Sequence, residues 1–228
     1  MATSSSGSAA KAISLFLKDI KSEFRTRYAI NAIAMFAVVT VFAISFAIRG
    51  TGLSTELQAS LLWIVIYFSS LSGLAQSFVK EEESKTAMAL RLYAPAEVIF
   101  AGKLLFNLVL LSGLNLITIP LFAIFINFDV ASYPLFFTIL LIGSVGLAVV
   151  TTFVAAIISK ASVKGALFAV LSFPLILPLL VEAISGTKKA MTADIAFSAA
   201  RMEIQVLLSY LVIMVVLSFL LFEAVWND

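Results

Sequence analysis

The chain has 228 residues, 62% of them apolar and 12% charged, and its mean hydropathy is +1.12. A soluble domain carries about 25% charged residues, so a water-facing globular fold is excluded and a lipid-embedded one follows. The absence of cysteine and histidine removes disulfides, thiolate metal sites and every imidazole ligand or base, and a net charge of +2 gives no reason to expect nucleic acid.

Residues 1–10 are small and apart from charge, and read as a disordered tail ahead of a single membrane domain over 11–228. The cations from Lys11 to Arg27 alternate with apolar residues rather than preceding a short hydrophobic region, so no cleavable leader is expected. Ile13, Leu17, Ile20, Phe24 and Tyr28 share one helical face that Phe16 widens, while Lys18, Lys21, Ser22 and Arg25 point elsewhere. Such a helix rests in the membrane interface with its cations near anionic headgroups. It either anchors the terminus or also forms part of a docking surface.

Charge-poor stretches place six spans at about 29–48, 57–79, 104–127, 133–158, 165–185 and 204–225, each near the roughly 20 residues that cross a hydrocarbon core. Eleven of the fifteen cations flank one side: those up to Arg27, then Lys80, Lys85, Arg91, Lys103, Lys160 and Lys164. Arg49, Lys188, Lys189 and Arg201 flank the other. The positive-inside rule then puts both termini in the cytoplasm.

Between spans two and three the sequence reads VKEEESKTAMALRLYAPAEVIFAG. Glu81, Glu82 and Glu83 suit the start of a helix over 85–92, and Pro95 breaks that run and opens a second helix leading through Lys103 into span three. The result is a short helix across the membrane surface. By physics alone it is equally a capped connector or the element on which a motor subunit pushes. The acidic group and the pair Met88 and Leu92 are the candidate contacts with such a subunit.

Span three carries Asn107, Asn115 and Thr118 within one broad stripe, expected to face other helices as polar glue, with a substrate path as the alternative. Span four presents Ser144, Ala148, Thr151 and Ala155 at close-packing spacing, the candidate internal or dimer contact. Span five is bent by Pro174 and Pro178, with Glu182 one turn on, either at headgroup level or buried and functional. The stretch 186–201 returns to the membrane, with a short surface helix expected over 193–200.

No GxxxxGK[ST] run occurs, so nucleotide hydrolysis belongs to another subunit if it is involved. The run from Phe78 through Glu83 to Pro95 and Lys103 resembles the first cytoplasmic loop of type-2 ABC exporter permeases. LSFPLILPLL at 171–180 is similar to the doubly proline-marked fifth span of the haem exporter B subunit (CcmB family) of the cytochrome c maturation system, and KSEFRTRYAINAI looks like the start of its first helix. The resemblance runs from about Ala12 to Glu223, with departures at Ser84, where the family has glycine, and at Ala87, where an acid is common.

The resemblance implies an all-α, six-transmembrane-helix bundle of the type-2 ABC exporter kind, with an N-terminal interfacial helix and a short cytoplasmic coupling helix. It implies a permease subunit of the bacterial inner membrane that handles haem with a cytoplasmic ATPase subunit, a tryptophan-rich membrane subunit, a small single-span subunit and a periplasmic haem chaperone. ATP would bind the partner, and this chain alone would bind no cofactor: without histidine or cysteine, haem iron could be ligated only by Met or Tyr. A self-dimer is a further candidate. An ATP-independent transporter of a small apolar solute and a structural scaffold are the other readings of six kinked, charge-poor spans.

Overall fold

The computed structural model describes residues 3–48, 52–74, 76–159, 164–193 and 197–227. Within them the chain is helical: α1 (Thr3–Thr26), α2 (Tyr28–Ala47), α3 (Thr55–Leu74), α4 (Gln76–Glu83), α5 (Ala87–Tyr93), α6 (Ala96–Ile126), α7 (Tyr133–Ile158), α8 (Lys164–Met191), a 3-10 turn (Phe197–Ala200) and α9 (Arg201–Asn227). Among the described residues six segments are long and apolar enough to cross a membrane, with α3 and α4 together making the second. Arg49 and Lys160, which enter the orientation argument, lie outside the described residues.

α7 is the axis of the bundle. From Ile142 to Ala156 every residue but Val145 is buried, and α3, α4, α6, α8 and α9 pack around it. Its small residues explain the closeness. A methyl group added at Gly143 would stand 2.3 Å from the Trp63 ring, and one at Gly146 would stand 2.3 Å from Leu179. Ser144, Ala148, Thr151 and Ala155 are all buried inside the chain. The stripe is therefore an internal contact, and the dimer alternative for it is set aside because its surface is already consumed.

Several boundaries differ from the sequence reading. α1 begins at Thr3, so residues 3–10 extend the helix instead of forming a disordered tail, as the alanines at 9 and 10 favour. The third span begins at Ala96 directly after Pro95 and runs to Ile126 unbroken. The fifth continues past 185 to Met191. After it, the expected surface helix over 193–200 is only a 3-10 turn at Phe197–Ala200 (194–196 lie outside the described residues), and it leads straight into α9.

Pro174 and Pro178 lie inside α8. Each proline lacks the N–H that would bond the carbonyl four residues earlier. Tyr210 of α9 donates its hydroxyl proton to the Leu175 carbonyl in the turn between them, and Ser172 bonds Tyr67 of α3 at 3.1 Å. These two contacts tie the proline-marked segment of α8 to α9 and α3.

Candidate functional site

α1, the α4–α5–α6 connection and the last turns of α9 converge at one end of the bundle. The connection turns through residues 84–86. Lys85 N donates to Glu82 O at 3.1 Å and Thr86 N to Glu81 O at 2.9 Å, the paired bonds of a Schellman cap. Lys85 takes its left-handed position, at φ 57°. The expected helix start at Lys85 is therefore corrected to Ala87: a residue with positive φ closes the preceding helix and cannot open the next.

Glu81, Glu82 and Glu83 separate sharply. Glu83 is exposed and Glu82 half-buried, whereas Glu81 is 6% exposed. Glu81 Oε1 lies 2.7 Å from Lys103 Nζ and 2.5 Å from Lys18 Nζ, and Thr86 Oγ1 donates to Oε2 at 2.5 Å. Lys103, 1% exposed, also lies 2.8 Å from Asp19 of α1. Glu81 and Lys103 are thus an internal lock between α1, α4 and α6; the reading of Glu81 as a contact for a soluble partner is corrected, and Lys103 belongs to the coupling element as its buried tie. A charge at this depth persists only when paired and hydrogen-bonded. Burial alone would lower the pKa of Lys18, but the hydrogen bond it donates to Glu81 and the charges of the Asp19 and Glu81 carboxylates outweigh that and raise the pKa.

α1 has three faces. Ala12, Leu15, Asp19 and Glu23 are buried against the bundle, and Ala12 and Leu15 sit on Gly102, where an added methyl would meet Leu15 at 3.0 Å. Ile13, Leu17 and Phe24 are exposed, as befits a face lying in lipid, while Tyr28, expected on the same face, is the exposed first residue of α2. Lys11, Lys18, Lys21 and Arg25 form the third side. Arg27, at φ 53°, breaks the helix before α2, and Glu23 Oε1 accepts from Ile30 N at 3.0 Å to cap α2. Asp19 and Glu23 escaped the sequence reading. Their signal was two carboxylates four residues apart on the side of an amphipathic helix away from its apolar stripe.

α5 rests on Ala87 and Leu90 and turns Met88, 67% exposed, and Leu92, 83% exposed, outward. Lys11 Nζ donates to Tyr93 O at 3.1 Å, and the Ser14 and Tyr93 hydroxyls are 2.9 Å apart, which ties the end of α5 to α1. The Arg91 guanidinium stands 5.3 Å from the Trp226 ring centre. Trp226 stacks on Phe222 at 5.6 Å, and Phe78 and Phe100 complete the aromatic cluster under the turn. Pro95 caps α6 in extended conformation, so the connection passes into the third span without a slack segment.

Below this junction the polar stripe of α6 faces inward as expected. Asn107 donates to Thr152 at 2.8 Å and to Ser77 at 3.4 Å, and Asn115 donates to Ser144 at 2.8 Å. Thr118 is fully buried. At the far end Glu182 is half-buried. The acid that the structure encloses there is Glu203, which holds Lys189 at 2.6 Å and Ser185 at 2.9 Å.

The profile described as CcmB protein matches residues 10–226, nearly the whole chain. The chain belongs to the CcmB family. CcmB proteins are membrane components of haem export for cytochrome c biogenesis and act within a multi-subunit Ccm haem transport system as permease, not catalytic, subunits. The six apolar helices agree with a multi-pass membrane protein. No curated protein matches the chain.

Proposed function

We propose that this CcmB-family chain is the permease subunit of an ABC complex in the bacterial inner membrane, with both termini cytoplasmic, and that α5 is where a separate ATPase subunit docks. The observation that carries the reading is the outward placement of Met88 and Leu92 on a helix held rigidly at both ends. Apolar side chains four residues apart fit a groove in a soluble partner. The tie of α5 to α1 and the direct entry into α6 let movement of the ATPase tilt the third span.

ATP hydrolysed on the partner would then drive haem export or the release of a haem-loaded periplasmic chaperone. The tryptophan-rich haem-handling subunit and the small single-span subunit would pack along the spans. Haem is cargo of the complex in this reading, not a resident cofactor of the chain.

The test is co-purification of the ATPase subunit, with cytochrome c assembly in cells, for Met88→Asp and Glu83→Lys. Both should lose the ATPase and the cytochrome while the chain stays in the membrane, because a misplaced interface charge adds repulsion and desolvation to the lost contact. Asp129→Lys, at the opposite end, should lose neither. If both loop variants behave like the Asp129 variant, α5 is only a connector. Transport by the chain alone in liposomes would instead favour an ATP-independent carrier.

A further inference from the structure

Beneath α1, where it meets α2 and α6, lies an apolar groove of about 210 Å³ lined by Phe24, Ile33, Val109, Gly113 and Ile117. Gly113 stands inside a long helix, where glycine is unfavourable, and an added methyl there would meet nothing within 4 Å. The missing side chain leaves the groove open. Phe24, Val109 and Ile117 are exposed, and in a chain that spans the membrane such walls face acyl chains.

The groove shares Glu23 with a second cleft of about 360 Å³, between α1, α4 and α6, which holds Ser22, Arg25 and Lys80. Every carboxylate of that cleft already has a partner within the chain. Asp19 and Glu81 hold Lys103, Glu81 also holds Lys18, and Glu23 caps α2. The cleft holds four cations to three carboxylates, the two at its rim being Arg25 and Lys80, whose ammonium bonds Ser22 at 2.7 Å, with Glu83 beside Lys80 in the adjoining cavity. An apolar slot thus opens beside a cationic cleft at the end of the spans where interfacial α1 lies.

From this juxtaposition we infer that the chain binds one anionic phospholipid of the leaflet on the basic side, its acyl chain in the Gly113 groove and its phosphate at Arg25 and Lys80. Basic pockets between spans recognise anionic headgroups in this way. The bound lipid fills the gap under α1 and steadies the helix that clasps α5. The site does not depend on which partner drives the chain.

The test uses the full chain in nanodiscs of phosphatidylethanolamine with a minority of phosphatidylglycerol carrying a photoreactive acyl chain. Crosslinks are mapped by mass spectrometry. They should concentrate at Ile33, Val109 and Ile117 over the lipid-facing residues of α9, and excess unlabelled phosphatidylglycerol should suppress them. Gly113→Phe should abolish the groove crosslinks and leave those on α9. Arg25→Glu with Lys80→Glu should remove the preference for phosphatidylglycerol over a photoreactive phosphatidylethanolamine. Crosslinks spread evenly over α2, α6 and α9 in the wild-type chain overturn the proposal, whatever the variants do. So does suppression by haemin but not by phosphatidylglycerol, which would make the groove a porphyrin site.

Discussion

Lys103 Nζ lies 2.7 Å from Glu81 Oε1, and both side chains are almost entirely withdrawn from the surface. They stand 22 positions apart in the chain, and the turn, α5 and Pro95 are the segment that the pair closes. The ion pair therefore sets where the short cross-helix sits relative to the third span. Asp19 and Lys18 bring α1 into the same network. A movement of α5 is in this way a movement of α1 and α6 together.

Removing one member of this pair should harm the protein more than removing both. Glu81→Gln leaves the Lys103 ammonium with Asp19 as its remaining carboxylate, and the loss of one partner of a buried pair costs up to about 3–5 kcal/mol. Lys103→Met leaves the two carboxylates Glu81 and Asp19 to share the single cation Lys18. The double variant Glu81→Gln/Lys103→Met should recover a large part of the loss, while Glu82→Gln should change little. Thermal unfolding of the purified chain in detergent measures all four. A double variant no better than the worse single one would show that the pair is not the lock.

Two glycines should respond oppositely to the same substitution. Gly143→Ala forces the Trp63 ring to shift, although its Nε1–H is held by Thr187 Oγ1 at 2.9 Å; overpacking of this kind costs about 1–3 kcal/mol. Gly113→Ala meets open space and should gain up to about 1 kcal/mol from helix propensity. Melting temperatures that move in the same direction for both would contradict this packing.

The turn before α5 offers a change that should stabilise. Lys85 holds φ 57°, a region that disfavours an L side chain by roughly 1–2 kcal/mol. Lys85→Gly should raise the melting temperature, and Lys85→Val should lower it, because a β-branched residue tolerates positive φ worst. ATPase co-purification should survive Lys85→Gly. The residue shapes the turn without belonging to the outward face of α5.

Asn107 should act as a modest tie between helices. Its amide reaches Thr152 and Ser77, and interhelical hydrogen bonds in membranes average about 0.6 kcal/mol, with a maximum near 1.7. Asn107→Leu should lower stability on that scale. Adding Thr152→Val should cost less than the sum of the two single changes, since both remove one shared bond. Strict additivity in unfolding measurements would place the coupling elsewhere.

The sequence by itself determined what depends on composition and on spacing along one helix. Sixty-two per cent apolar residues required lipid, the charge-poor stretches located six spans, Pro95 marked the start of a helix leading into the third, and the spacing of Asn107, Asn115 and Thr118 placed them on one stripe. Only the tertiary structure decided which charge is internal. Glu81, Glu82 and Glu83 are the same residue type in one run, yet one is sealed, one half-buried and one exposed. The difference lies in partners that local pattern does not encode: Lys18, 63 residues earlier, and Lys103, on another helix. The enclosed acid at the far end is likewise Glu203 and not Glu182, because Lys189 and Ser185 meet it there. The physical reason is the same in both places. A charge can leave water only where opposite charges and donors converge on it, and that convergence belongs to the packing of separate helices.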